Sequence, residues 1–406
     1  MIQELYSGPD MKIIIVDTTI HDESLIGGGH LYLPPLMNGL VQKGHEVHFV
    51  VKASPARQIV NSIRESGATV HIKPWKKILV EEAAMEFASW VNAMRPDIFF
   101  ISTCPSVSWI ALPLLHPSIA TVAVAHTDSE TYYIPIRHYH SFLTRVIGVS
   151  PEICDNFKLY CNVKAEQLEW IPYGVTINTI VPQTSDDSTL RLIYAGRVVE
   201  EQKRISDIIA ITIQLEKEQL KYKLTIAGDG PAMPEVKRAL EQPINAGRVI
   251  LKGWVSNKEI IAAMREADIF LLSSSYEGFC IALTEAMANG CCPLVTDIRS
   301  GNKYLVQNSS NGFMMEIGDV AGFVQRIKEL DMDRYKLLQM RKASWQTGKE
   351  YSIVKMVERY ELCFSNALLA VSKKTRTIDS AFPLMETCRS RFPLWIRRIK
   401  AGIMNS

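Results

Sequence analysis

The sequence predicts an α/β protein with two doubly wound parallel sheets. Three observations carry this. Short apolar segments alternate with amphipathic helical stretches, the alternation occurs in two successive runs, and a polar join containing two prolines and a glycine separates them. The first run holds "KIIIVD" (12–17), "EVHFVV" (46–51), "TVHIK" (69–73), "IFFIST" (98–103), "TVAVAH" (121–126) and "VIGVS" (146–150), with helical patterns such as 55–66 and 80–94 between them. The join is "IPYGVTINTIVPQTSDDST" (171–189). The second run holds "RLIYAG" (191–196), "YKLTIAG" (222–228), "VILKG" (249–253), "IFLLSS" (269–274) and "CPLVTD" (292–297). Segments that are apolar throughout fit strands covered on both faces, which is the habit of parallel sheets.

Composition agrees with two domains. The chain has 406 residues, 47% hydrophobic and 22% charged, enough for two buried cores. A net charge of +2 gives no nucleic-acid signature, and the charge is unevenly placed. Residues 371–406 carry eight Lys/Arg against two Asp/Glu, so the basic character belongs to the tail. Eight cysteines without a CxxC pair, after a polar and acidic N-terminus, read as reduced thiols of a cytoplasmic protein. Residues 98–125 lack charge and could imitate a membrane span. Pro105, Pro113 and Pro117 interrupt them, so they read as two buried strands flanking a helix.

Ligands of open parallel sheets bind beyond the carboxyl ends of the strands. Gly27, Gly28 and Gly29 follow the first strand and can present N–H groups to an anion or simply form a flexible loop. Arg197 and Lys203 follow the first strand of the second run, where two cations suit a diphosphate or belong to solvated surface. "AGDGP" reads as turn chemistry, with Asp229 as a helix cap. "SSSYEGFCIALTEAMANG" (273–290) places Glu277 in a turn and Glu285 about one turn into a helix closed by Gly290. Between the two acids, N–H groups near Gly278, Phe279, Cys280 and Ile281 are free to face a phosphate. The apolar neighbours of Glu285 predict a buried acid that needs a partner. His126, directly after a buried strand, fits either a structural or a functional role.

Together "YAGRVVEEQKR", "AGDGP", "KGWVSNKEI" and the long segment from "YEGFCIALTEAMANG" to "MMEIGD" resemble the retaining glycosyltransferases of family 4. "IPYGVT" is similar to that family's usual end of the first domain, and the likeness covers roughly residues 11–370. The resemblance implies the GT-B fold: two facing Rossmann-like domains, an inter-domain cleft and a C-terminal crossover helix. On it the chain divides into an acceptor-side domain (1–175), a nucleotide-sugar domain (176–350), the crossover helix (351–370) and the basic tail (371–406). It further implies transfer of a sugar to a hydroxyl acceptor, lipid-linked or free, with retention and without metal or other cofactor. Arg197 and Lys203 would bind the donor diphosphate, Glu277 the transferred sugar and Glu285 the ribose. His126 would lie beside the reacting sugar and the Gly27–Gly29 loop near the donor phosphates. The chain departs from the family at Cys280, where a second glycine is usual, at "GCCPLV", and at Thr176. A sugar-nucleotide epimerase and a non-catalytic GT-B subunit are the competing readings.

The tail carries a separate expectation. In residues 389–406, Trp395, Ile399 and Ile403 recur every four residues beside Arg397, Arg398 and Lys400. That pattern suits either a helix lying on an anionic membrane surface or a disordered basic tail.

Overall fold

The computed structural model describes residues 10–17, 32–51, 61, 63–73, 79–103, 106–183 and 188–371. Gly27, Gly28, Gly29 and residues 389–406 lie outside these. The described chain divides into two compact units, one up to Ile171 and again from Val357, the other Pro172–Met356.

In the first unit, strands β1 (Lys12–Val16), β2 (Glu46–Val51), β3 (Thr69–Ile72), β4 (Ile98–Ile101), β5 (Ala120–Ala125), β6 (Arg145–Gly148) and β7 (Leu168–Trp170) form one parallel sheet. Its order is β3-β2-β1-β4-β5-β6-β7. Every residue of β4 and β5 is buried, which explains why those segments carry no charge. The uncharged stretch therefore resolves into two strands around a short helix, Ser106–Ala111. No helix among the described residues is long and apolar enough to cross a membrane. Helices α1 (Leu33–Gln42), α2 (Val80–Met94), α3 (Glu130–Tyr139) and α4 (Pro151–Cys161) follow the local signals. Ser129 caps α3, and Ser150 with Pro151 starts α4, which Asn162 ends in the left-handed region.

The second unit contains β8 (Leu190–Ala195), β9 (Tyr222–Ala227), β10 (Val249–Gly253), β11 (Ile269–Leu272), β12 (Cys292–Thr296) and β13 (Phe313–Met315), in the order β10-β9-β8-β11-β12-β13. Helices α5 (Glu200–Lys203), α6 (Ile205–Lys217), α7 (Asn257–Glu266), α8 (Ile281–Ala288) and α9 (Arg334–Gly348) connect or cover these strands. The pattern at 351–370 becomes helix α10 (Ile353–Val371), whose residues from Val357 onward belong to the first unit. There Tyr360 and Phe364 meet the ring of Phe100 at 5.7 and 5.5 Å. A Cβ at Gly39 of α1 would lie 2.4 Å from Val357, so only glycine lets the two helices approach this closely.

Two strands, β7 and β13, are not expected from the sequence. Each has three residues and ends its sheet, too short for alternation or a long apolar run to mark it. Asp229 is a second correction. Its carboxylate accepts the N–H of Gly230 at 2.7 Å within the turn, while Ala232 occupies the cap of the following helix.

Candidate active site

In the second sheet the chain runs outward from β8 through β9 to β10, then returns to pair β11 with β8 on the other side. The loops after β8 and β11 therefore leave the sheet side by side in opposite senses, the switch point at which open α/β sheets bind ligands. The first loop carries Arg197 and Lys203, the second Glu277.

Short bonds tie these loops together. Ser275 N–H donates to the Gln202 carbonyl at 2.8 Å, and Ser273 Oγ donates to the carbonyls of Lys203 and Arg204 at 2.9 and 3.1 Å. Beneath them, the "AGDGP" turn lies against the first loop backbone to backbone. A Cβ at Gly228 would fall 1.9 Å from the Gly196 oxygen, and one at Gly230 would fall 2.3 Å from that of Val198. These glycines are required by close approach.

On this frame Lys203 Nζ donates to Glu277 Oε1 at 2.6 Å, and Ser274 Oγ donates to the same oxygen at 2.7 Å. Gln202 sits between the predicted residues. It accepts from Arg197 at 2.6 Å and donates to the Tyr276 carbonyl at 3.2 Å and to Glu277 Oε2 at 3.4 Å. Arg197, Lys203 and Glu277 are thus gathered into one network. Both members of the Lys203–Glu277 pair are about nine-tenths buried, at 10% and 9% side-chain exposure. Burial opposes the lysine's charge most strongly, but the Glu277 carboxylate together with the neighbouring Cys280 and Tyr194 outweighs it and holds the ammonium above the ordinary lysine range. Gln202 and Ser274 escape a reading of the sequence because a neutral polar residue carries no signal of its own.

Gly278, Phe279 and Cys280 lead into α8, with Ile281 its first residue and Cys280 its cap. The Gly278 carbonyl accepts the N–H of Gly301 at 2.9 Å, and the Phe279 ring packs on Tyr351 and Tyr173 at 5.5 and 6.2 Å. Phe279 anchors this turn by its side chain. Cys280 is buried, and burial followed by the nearby Glu277 pushes its thiol up to about 12. The residue that departs from the family is therefore an un-ionised apolar filler at neutral pH. Glu285 is also buried. Asn257 Nδ2, on the first residue of α7, donates to its Oε1 at 2.6 Å. Burial raises this carboxyl group to about 7, an effect the Asn257 bond partly offsets.

His126 lies in the other unit, at the carboxyl end of β5. Its Nε2 is 2.7 Å from the Ser102 carbonyl, so that nitrogen carries the hydrogen. Its ring packs against Tyr32 and Tyr132 at 5.1 and 5.8 Å. The adjoining strand ends add groups that the sequence reading passes over. Asp17, at the end of β1, accepts from Thr103 and, at 3.4 Å, from Ser102 Oγ, which is 2.8 Å from Tyr32 Oη. The strand-end rule that singles out His126 would also have found Asp17 and Ser102.

Residues 26–179 match the family described as Glycosyltransferase Family 4, and residues 178–347 match Glycosyl transferases group 1. The chain belongs to the group 1 glycosyltransferases. As one of them it is 31% identical over 253 residues to the lipopolysaccharide 1,6-galactosyltransferase of Escherichia coli K12, covering 58% of this chain and 66% of that one. It thus spans just under two thirds of that relative. The lipopolysaccharide outer core galactosyltransferase WaaB, in its apo form, superposes with a TM-score of 0.68 at 18% identity, covering 87% of this chain and 99% of WaaB. Anabaena HepE, solved with UDP-glucose, gives 0.69 at 16%, again over 87% and 99%. These structural likenesses establish the GT-B fold of this glycosyltransferase-family chain.

Proposed function

We propose that the protein is a retaining, metal-independent glycosyltransferase that moves a hexose from a UDP-sugar to a hydroxyl of a glycan or lipid-linked sugar. The observation that carries this reading is the Lys203–Glu277 pair at the switch point, with Arg197 joined to it through Gln202. A buried lysine kept charged, with an arginine beside it, is the electrostatic device a departing diphosphate needs. UDP is favoured by HepE, solved with UDP-glucose, and a glycan acceptor by the lipopolysaccharide galactosyltransferase.

In the mechanism, Arg197 and Lys203 neutralise the diphosphate as the glycosidic bond lengthens. The acceptor hydroxyl attacks from the leaving-group side, and a departing phosphate oxygen takes its proton. The new bond forms on the face that the old one leaves, so configuration is retained. Glu277 accepts from a hydroxyl of the transferred sugar and Glu285 from the ribose. The Cys280 thiol fills the turn, while the N–H groups near Gly278, Phe279, Cys280 and Ile281 face a donor phosphate. By the family resemblance, a role at the reacting sugar is assigned to His126 and one at the donor phosphates to Gly27, Gly28 and Gly29. The protein works in the cytoplasm, with residues 389–406 on an anionic membrane face that presents the acceptor.

The test is hydrolysis of UDP-galactose and UDP-glucose, followed by transfer to lipopolysaccharide core acceptors with the anomeric configuration read by NMR. Donor turnover with a retained anomer is the expected result. Inversion of the anomer, or tight UDP-sugar binding with no turnover for either donor, overturns the reading.

A further inference from the structure

Glu285 is unusual among the buried acids of the second unit. Asp268 faces the guanidinium of Arg341 at 2.8 Å and Glu277 faces Lys203 at 2.6 Å, but the carboxyl group of Glu285 bonds only to a neutral amide. Several charged groups on the neighbouring elements are engaged elsewhere. On α7, Glu259 accepts from Ser256 in a capping box and Arg265 donates to Asn289. On α9, Arg341 serves Asp268, and in the turn after it Lys349 lies over Trp345 while Glu350 pairs with Lys355. Among the described residues, none forms an ion pair with Glu285. Asn257 itself is exposed, and the capping box at Ser256 and Glu259 fixes its backbone.

We propose that Asn257 is the positioning residue for Glu285, holding one carboxyl oxygen so that the other is aimed as a carboxylate at a nucleotide hydroxyl. The inference rests on the donor-binding reading above and deepens it. A carboxylate is a much stronger acceptor than a carboxylic acid, and a donated N–H favours the charged form. A cation in this place would also favour it, but would tie up the carboxylate as an ion pair. The amide supports the charge while leaving the second oxygen for the ligand. Asn257 is therefore matched to the task, and it links donor affinity to pH.

Titration calorimetry with UDP, GDP and ADP from about pH 6 to about pH 9 tests this. Asn257→Ala is expected to bind the accepted nucleotide about tenfold more weakly at neutral pH, the loss of one hydrogen bond to a charged group. The deficit should shrink as pH rises, because alkali restores the carboxylate that the missing amide no longer supports. Asn257→Asp should do the opposite, weakening further with pH as two acids in contact both ionise. Asn257 is on the surface, so both variants should fold, with Asn257→Ala melting slightly below the wild type because the buried Glu285 loses its partner. A wild-type protein that binds none of the three nucleotides overturns the donor reading and this proposal together. Wild-type binding with no deficit in Asn257→Ala, or with a deficit equal at every pH, overturns this proposal alone.

Discussion

Lys203 is buried and charged, two conditions that oppose each other unless a counter-charge is fixed in place. Glu277 supplies it, and Ser274 and Gln202 hold Glu277. Removing one partner leaves the other buried without compensation, which costs about 3–5 kcal/mol when burial is complete and less at this slightly open site. Lys203→Ala and Glu277→Gln should each lower the melting temperature, and Lys203→Met with Glu277→Gln should recover part of the loss. A thermal double-mutant cycle reads this coupling. On the proposed function activity should not follow, because the diphosphate would need the cation: Lys203→Ala is expected to lower kcat by about 100- to 1,000-fold. Asn302 shows the reverse economy. It is 1% exposed, and its side-chain oxygen and nitrogen have no hydrogen-bond partner among the described residues. Asn302→Leu should raise stability by about 1 kcal/mol in urea denaturation.

At the scale of elements, the site is a product of loop packing. Gly228 has φ +142 and its missing Cβ leaves room for the Gly196 carbonyl. Gly228→Ala should push the two loops apart and lower both melting temperature and nucleotide affinity, measurable by nucleotide-induced thermal shift. In the other sheet, His48 of β2 and His71 of β3 face each other at 3.0 Å, with Glu46 on the far nitrogen of His48. Burial, then His48 and Lys73, hold His71 below its usual value. A depressed histidine contributes stability that is present above its unfolded pKa and lost as pH falls through the lower folded one. Stability should therefore decline below about pH 6.5, and His71→Gln should flatten that decline in pH-dependent melts. Most strands were legible because a segment buried on both faces must be apolar throughout. β7 and β13 were not, since three residues at a sheet edge satisfy no period. Arg197, Lys203, Glu277 and Glu285 stood out by charge at strand and helix ends. Gln202, Ser274 and Asn257 became visible only when folding set them against those charges.

For the molecule as a whole, the sequence leaves its first unit, builds the second, and returns through α10 to finish the first. Tyr360, Cys363, Phe364 and Ala367 are all buried there. A chain ending at Met356 would uncover Phe100 and Tyr32, and should aggregate on expression where a chain ending at Val371 stays monodisperse in size-exclusion chromatography. The uneven charge gives a second molecular test. On the proposed function, deletion of residues 389–406 should abolish co-sedimentation with anionic vesicles and leave donor hydrolysis intact.

The serine-braced ion pair also bears on product release. A buried lysine that met a diphosphate alone would grip the spent nucleotide as firmly as the donor, and each cycle would end in a trap. On the proposed function, the vacating phosphate would hand Lys203 back to a carboxylate already within reach. The exit of one anion would then be matched by the return of another, and the protein would carry its own substitute for the product it must let go.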